Sequence, residues 1–582
     1  MAEFTPVPVE PGISYQGGPT TPAGRPGRPA GLVRWGVALV VVALVVGTVS
    51  VGTILLASGA SASAIEGWIP GGTVMYLEGR ADLPGDQRQN VGNIIARFPG
   101  FKDQASLDSK IDQALDQLLQ KSGVSWTTDL KPWVVGDLGL AMTRDALDLA
   151  AAAQKDPSAV PSTDRGVVLL ASVKDAAAAT AWIAKTVAGT PSTTPYGDGS
   201  ITTVDKGGMT IAWATRGTVL VFGPVASVKA ALDTKGASPV AASASFVAAR
   251  KAAPDAYLGF VYIEVKPFYD ALFSMPTSTG GLSKACLDNA LAVMPDWMAG
   301  YGRAADGALV SDLVAPVVAS AYPSGYAQPK DTGSAIAAHL PAGTLVAFEG
   351  RQSGPVFAAT WSAEVKQLRA CYPGQAGMLD GVEQALAAAG GIQSLVGWAG
   401  DTAFAVTRDG TTWGGGLAAV ATDPAGATRT LGQLKAALSL AGASSGITYA
   451  EQPYAAGTIA IVTLPATSGV ALPQLAATAQ GGLFAIGTID FVKGVLDATA
   501  GSSLASSSTY TSAIAAAGGA GVGDIYVDIS GIRTGLETQL PASQQAQYEA
   551  NIKPFLEPFS ALASVTKAPA GTATGSFVLT FK

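Results

Sequence analysis

A twelve-residue segment early in the chain returns 271 positions later with half of its residues identical. Ile69-Pro70-Gly71-Gly72-Thr73-Val74-Met75-Tyr76-Leu77-Glu78-Gly79-Arg80 is matched by Leu340-Pro341-Ala342-Gly343-Thr344-Leu345-Val346-Ala347-Phe348-Glu349-Gly350-Arg351. Three further echoes follow in the same order, each offset by 264. Trp133 to Ala141 matches Gly397 to Ala405, both with Gly-Asp ahead of an alternating run; Val228-Lys229 and Leu232-Asp233 match Val492-Lys493 and Leu496-Asp497; Tyr262-Ile263-Glu264-Val265 matches Tyr526-Val527-Asp528-Ile529. Ordered self-similarity is the mark of a repeated unit. It predicts two tandem copies, 58–330 and 331–582, joined through the Pro/Gly/Ser-rich stretch 320–334.

Each copy reads as α+β. Thr73 to Leu77 and Val167 to Ser172 are strand-like, and Met209 to Thr215 with Thr218 to Gly223 form a hairpin about Arg216-Gly217. Helices are expected over Gln104 to Leu119, Ala176 to Val187 and Val225 to Leu232, the first with Asp103 as N-cap and an apolar stripe at 107, 111, 114, 115 and 118. Tight turns between adjacent strands favour a mainly antiparallel sheet with helices on one face. The Ala/Pro/Ser-rich segment 145–164 reads as a surface loop.

Ahead of the repeats, residues 37–57 are 21 consecutive positions without a charge. As a helix they span roughly 30 Å of hydrocarbon. Trp35 and Arg34 sit at the start of this run, Arg25 and Arg28 lie before it, and no base follows until Arg80. The positive-inside rule then makes residues 1–34 cytoplasmic and everything after 57 extracytoplasmic. A cleaved leader is the competing reading. The run exceeds the roughly 7–15 residues of a leader's apolar region and follows a long tail, which favours an uncleaved single-pass anchor, residues 35–57. Ala43 and Gly47 offer a small-residue pair for helix packing. The tail itself, rich in Pro and Gly, reads as disordered.

Composition narrows the function classes. One His and two Cys in 582 residues exclude most His-based chemistry and any Cys-built zinc or iron–sulfur centre. A net charge of −7 argues against a nucleic-acid partner. Only 14% of residues are charged and mean hydropathy is +0.31, which fits a weakly charged surface. Cys286 and Cys371 fall in different copies; in an exported chain they are expected to bond, with about 4 kcal/mol of loop-closure stabilisation.

The chain carries few marks of chemistry. There is no phosphate loop and no calcium loop, and no cofactor is expected. Gly442-Ala443-Ser444-Ser445-Gly446 fits the nucleophile-elbow pattern, yet it follows a helix-like segment and precedes a strand, the reverse of what an elbow needs. Its partner would be His339, upstream, whereas that fold places the His last. Asp108, Asp112 and Asp116 stand at i, i+4 and i+8 with no base on their line. Such a stripe suits weak divalent-cation binding or a basic partner, against a plain solvated face. Glu78 with Arg80, and Glu349 with Arg351, lie two apart on a strand and so share a face, which predicts one structural ion pair per copy. Trp126, Trp133, Trp213, Trp398 and Trp413 are expected in the core rather than around a pocket.

Residues 82–119 (DLPGDQRQNVGNIIARFPGFKDQASLDSKIDQALDQLL), with Pro70-Gly71-Gly72 before them and Lys131-Pro132-Trp133 after, resemble the signature of an uncharacterised bacterial family. Its members share this plan of Pro-rich tail, one membrane span and exported domain of unknown function. The layout covers residues 35–582, the specific motif only about 69–142, and the second copy lacks the PGDQRQN segment. That family has no established activity, so the resemblance supplies no catalytic residues. The expectation is a non-enzymatic binding or scaffolding protein of the cell envelope, with the bilayer and an apolar ligand or envelope protein as partners. The alternatives are a hydrolase using Asp82, Asp86, Asp112 and Asp116, or a sensor signalling through the tail.

Overall fold

The computed structural model describes residues 63–80, 85–101, 109, 112, 113, 116, 119, 123–148, 166–187, 189–206, 209–273, 283–321, 328–445, 447–464, 474–567 and 571–582. The apolar run 37–57, the tail, Asp82, Asp103 and Asp108 lie outside these. Among the described residues no helix is long and apolar enough to cross a membrane.

Among the described residues ten strands form the first half: β1 (Thr73–Arg80), β2 (Val134–Thr143), β3 (Val167–Val173), β4 (Ser192–Tyr196), β5 (Gly199–Lys206), β6 (Met209–Arg216), β7 (Val219–Pro224), β8 (Gly259–Glu264), β9 (Trp297–Ala305) and β10 (Ala308–Pro316). The second half has β11 (Thr344–Gly350), β12 (Ala399–Asp409), β13 (Thr412–Ala421), β14 (Thr448–Tyr454), β15 (Gly457–Thr463), β16 (Gln474–Gln480), β17 (Leu483–Gly487), β18 (Gly523–Val527), β19 (Phe559–Lys567) and β20 (Thr572–Phe581). All twenty join one antiparallel sheet. Across the first half the order is β4-β5-β6-β7-β3-β2-β1-β8-β9-β10. From β20 outward the second half runs β20-β19-β18-β11-β12-β13-β17-β16-β15-β14, the same order shifted by ten. The halves meet where β10 pairs with β20, from Ala308↔Thr580 to Pro316↔Thr572. Among the described residues the free edges of the sheet are β4 and β14.

Helices lie on both sides of the sheet, not on one as the pattern of tight turns suggested. The reason is visible in the strands. β3 alternates Val168 and Leu170 toward one apolar cluster with Ala171 and Val173 toward another, so both faces need cover. On the inner face of the first half lie α3 (Val225–Asp233) and α4 (Ala244–Ala252), through Val228, Leu232 and Phe246. On its outer face lie α1 (Gln87–Ile95), Leu119, Trp126 and α2 (Ala176–Val187). After β8 come α5 (Val265–Phe273) and α6 (Lys284–Ala292).

In the second half α7 (Ser353–Cys371), α8 (Ala376–Ala388) and α9 (Ile392–Val396) occupy the interval between β11 and β12. Helix α10 (Pro424–Ser445) covers the outer face near β13, β16 and β17. The inner face is covered by α11 (Ile489–Asp497) and α12 (Ser508–Ala516). Helices α13 (Ile529–Glu537), α14 (Ala542–Asn551) and α15 (Lys553–Leu556) follow β18. Residues 144–148 are helical rather than the start of a loop: Arg144 and Asp148 pair at i, i+4 while Leu147 packs against Val74. Part of the expected joint is folded too, since Thr332 bridges to Gly521. Cys286 on α6 and Cys371 on α7 are disulfide-bonded, tying one half to the other.

Candidate functional site

Three groupings of side chains bear on function. The first is a buried charge cluster in each half. In the first, Glu78 on β1 is fully buried and accepts from the hydroxyls of Tyr76 (2.7 Å), Tyr257 (2.6 Å) and Ser63 (3.0 Å). Arg250 on α4 reaches both its oxygens at 3.0 Å. Burial, with Asp137 nearby, pushes the Glu78 carboxyl up to about 7. Arg80 pairs with Asp137 at 3.4 Å, which gives the Gly-Asp echo its meaning. In the second half Arg351 meets Glu349 at 3.7 Å, Asp401 at 4.0 Å and Asp524 in a short contact. Burial raises both Glu349 and Asp524. The Glu–Arg pair expected from spacing two apart is therefore direct in the second half. In the first, Arg250 is the counterion on Glu78. Both clusters receive the chain as it enters the half: Ser63 and Glu66 on Glu78 and Arg250, and Thr332 and Ala335 on Arg351 and Asp401. Glu78, Glu349 and Asp524 are buried in these clamps, while Arg250, Glu66 and Asp401 at their rims are partly exposed.

The second grouping is the acidic helix line. Asp112 accepts from Trp126 Nε1 at 2.9 Å and from the Lys131 ammonium. Asp116 accepts from Ser125 Oγ (2.8 Å) and from the Thr127 amide (3.1 Å) and hydroxyl. The Thr127 hydroxyl holds the Asp116 carboxyl below its ordinary range. The base missing from the helical line thus arrives as Lys131, at the end of the turn Trp126–Leu130, and both carboxylates bond that turn. An open cleft of about 690 Å³ runs beside them, lined by Ser109, Gln113, Val124 and Asp129 among others. Among the described residues no group of three or more His, Cys, Asp or Glu side chains could hold a metal ion. Asp86 accepts from Gln87 Nε2 at 3.2 Å and from Asn90 Nδ2 at 3.1 Å. Gln87 makes two bonds to the Ala304 peptide, at 2.6 and 3.0 Å, and Asn90 a third, docking α1 on the end of β9.

Other candidates fall into place. Helix α10 ends at Ser445 and β14 starts at Thr448, so Ser444 follows the helix-then-strand order that an elbow does not have. His339 is half-buried at the end of a 3₁₀ turn, its amide donating to Ile336 O. Trp126, Trp133, Trp213 and Trp398 are buried in the apolar clusters, and Trp413 is half-buried opposite Arg408.

The third grouping was not read from the sequence. On the outer face of the second half, directly opposed residues form a row across the strands, Ile486–Leu417–Phe404–Phe348–Ile525–Ser564–Phe577. Residues opposed in this way share a face. Phe348, Phe404, Leu417 and Phe577 are 48, 50, 42 and 45% exposed. The rings of Phe348 and Phe404 sit 6.4 Å apart. Their neighbours Ala347, Ala405 and Ala418 point the other way into the core. Large apolar side chains on strands that alternate with buried alanines were the available signal; which face lacks a cover is a tertiary fact. Phe348, Phe404 and Leu417 make one exposed apolar patch on neighbouring strands, separated from Phe577 by Ile525 and by Ser564, which is 5% exposed.

Fold and surface together define a large α+β antiparallel sheet protein with two ionic clamps built on buried carboxylates and an exposed apolar patch on one face. The chain belongs to the family described as "Protein of unknown function (DUF3352)", whose model matches residues 89–581. No curated protein matches it. Among solved structures it is similar to TP0453 in crystal forms IV, III and I, at 13, 12 and 12% identity. These cover 45, 44 and 44% of this chain and 83, 80 and 80% of that one, with a TM-score of 0.23 in each case.

Proposed function

We propose that the chain is a non-enzymatic binding or scaffolding protein of the bacterial cell envelope. It is anchored by residues 37–57, with 1–34 cytoplasmic and the rest extracytoplasmic, and its folded part consists of two tandem copies of one sheet domain. The shared strand order of the halves and the ordered echoes support the duplication; the uncharged run and the bases before it support the anchor. The observation that carries the binding reading is the row through Phe348, Phe404, Leu417 and Phe577, held open on a sheet whose other face is packed. Its chemistry suits an apolar or amphipathic ligand, or the apolar face of an envelope protein.

The test is photolabelling of the full chain in nanodiscs with a diazirine-bearing palmitate, followed by peptide mapping. Adducts are expected on β11, β12 and β13, and their loss in F348S/F404S, which changes exposed side chains and leaves the melting temperature near that of the parent. Adducts confined to residues 37–57 would overturn the ligand reading.

A further inference from the structure

Arg408 closes a line of side chains along the outer face of β12. Thr402, Phe404, Val406 and Arg408 share that face, while Ala403, Ala405 and Thr407 are buried on the other. Trp413 of β13 stands opposite Arg408, and Gly415 opposite Val406, between that pair and the exposed patch. The floor from Phe404 and Leu417 to Arg408 and Trp413 is therefore apolar and, at about 3.3 Å per residue, roughly 13 Å long. A helix stands at each end of it. Ser353 Oγ, at the start of α7, accepts from Thr402 Oγ1 at 2.7 Å. Gly535 of α13 comes so close that a Cβ there would lie 3.0 Å from the Trp413 ring and 3.1 Å from Arg408 Cδ. Arg408 itself has no ion pair and no side-chain hydrogen bond to any described residue, and its Nε is enclosed without an acceptor. An enclosed N–H of a guanidinium left unbonded is costly, and an incoming anionic oxygen removes that cost.

The first half shows the same place filled. Ala141-Met142-Thr143-Arg144-Asp145 returns as Ala405-Val406-Thr407-Arg408-Asp409, at the offset of 264. Arg144 is bonded to Asp270 of α5 at 2.5 Å and faces Asp148 at 3.7 Å. Phe268, two residues before Asp270, packs with Met142, Val74 and Leu147. One helix thus lays an apolar side chain on the strand and a carboxylate on the arginine. At the same offset the second half has Thr534 in place of Asp270 and Thr412 in place of Asp148. The arginine is kept and both acids are gone. The apolar floor differs in the same sense: Leu140 is 2% exposed and its counterpart Phe404 is 50% exposed.

We propose that the strip from Arg408 to Phe348 seats a long-chain carboxylate. Its head takes on Arg408 the place that Asp270 takes on Arg144, and its chain runs over Val406 and Gly415 onto Phe404, Leu417 and Phe348. The guanidinium fork matches a planar two-oxygen acceptor, and one unpaired positive charge suits a monoanion. The chain buries apolar surface that the sheet leaves exposed. The inference rests on reading the outer face as the working surface, and adds to it the residue that selects a charged head.

The experiment is competition against the diazirine-bearing palmitate in the full chain in nanodiscs, with palmitate, hexadecanol and hexadecyl phosphate as competitors. In the parent, palmitate is expected to clear the adducts on β11–β13 at a concentration roughly tenfold or more below that of hexadecanol. R408Q removes a side chain without a partner of its own, so its melting temperature stays near that of the parent while palmitate weakens to the level of hexadecanol, whose own competition is unchanged. T534D restores the acid of the first half and should abolish the preference in the same way. Equal competition by palmitate and hexadecanol in the parent, or a preference that survives R408Q, would overturn the seat. Hexadecyl phosphate outcompeting palmitate would overturn the choice of a carboxylate. Adducts on β11–β13 without the preference remove the head contact alone; no adducts there in the parent remove the ligand reading with it.

Discussion

Glu78 has no exposed surface and shares its oxygens among two tyrosines, a serine and Arg250. Its carboxyl is raised from an ordinary 4.5 to about 7. Between those values the folded chain holds a proton that the unfolded chain releases, so this group's contribution to stability is present below about 4.5 and falls as pH rises to about 7. The effect is on the order of 3 kcal/mol at most. Glu349 and Asp524 act in the same direction. Thermal melts from pH 5 to 8 should show a decline that E78Q flattens; equal slopes in parent and variant would refute this. Arg351 stands among Glu349, Asp401 and Asp524, so R351M leaves buried carboxylates without their base. A loss of roughly 3–5 kcal/mol is expected in denaturant titrations. At this scale strand spacing made the Glu-Gly-Arg pairs legible, because residues two apart must share a face. Arg250 and Asp524 were not legible as partners. They reach the clusters from 172 and 173 positions away, through folding alone.

The repeated Lys-x-x-x-Asp of α3 and α11 takes its meaning from the hairpins beside it. Tyr196 donates to Asp233 at 2.9 Å with Lys229 over its ring at 5.3 Å; Tyr454 donates to Asp497 with Lys493 over its ring at 5.2 Å. Each trio pins an edge hairpin, β4–β5 or β14–β15, to the helix under it. Y196F and Y454F should therefore speed amide exchange in their own hairpin and leave the global melt nearly unmoved; a change in the other hairpin would count against this. The helical half of the motif showed in the sequence, and so did α2 and α3, whose apolar spacing leaves little choice. The tyrosine half did not, because the two Pro-Tyr pairs stand 258 positions apart instead of 264. The Cys286–Cys371 bond lies between elements that nothing in their own patterns brings together. Replacing both with Ser should lower stability by about 2–4 kcal/mol and loosen α7 in exchange measurements.

At the scale of the molecule the halves share their cores. Ala308 and Val310 of β10 belong to the apolar cluster of the second half, while Phe581, Leu579 and Phe559 pack with that of the first. Neither core closes without residues of the other half, so calorimetry should give one unfolding transition; two resolved transitions would show the halves to be independent. The sequence revealed the order of the repeated segments but not their side-by-side joining. Self-similarity points to matching segments, whereas the β10–β20 contact pairs strands that stand at the same place in the strand order of each half. That pairing has a centre. Asp312 faces Ser576, 264 positions on, and the serine hydroxyl donates to the carboxylate. If the halves are two copies of one unit, as proposed above, a residue opposite its own counterpart lies on the two-fold axis between them, and an interface of that kind is isologous, like those of symmetric dimers. Carried in one polypeptide, the two sides of such an interface are free to differ, and at its axis a carboxylate meets a hydroxyl in place of a second carboxylate.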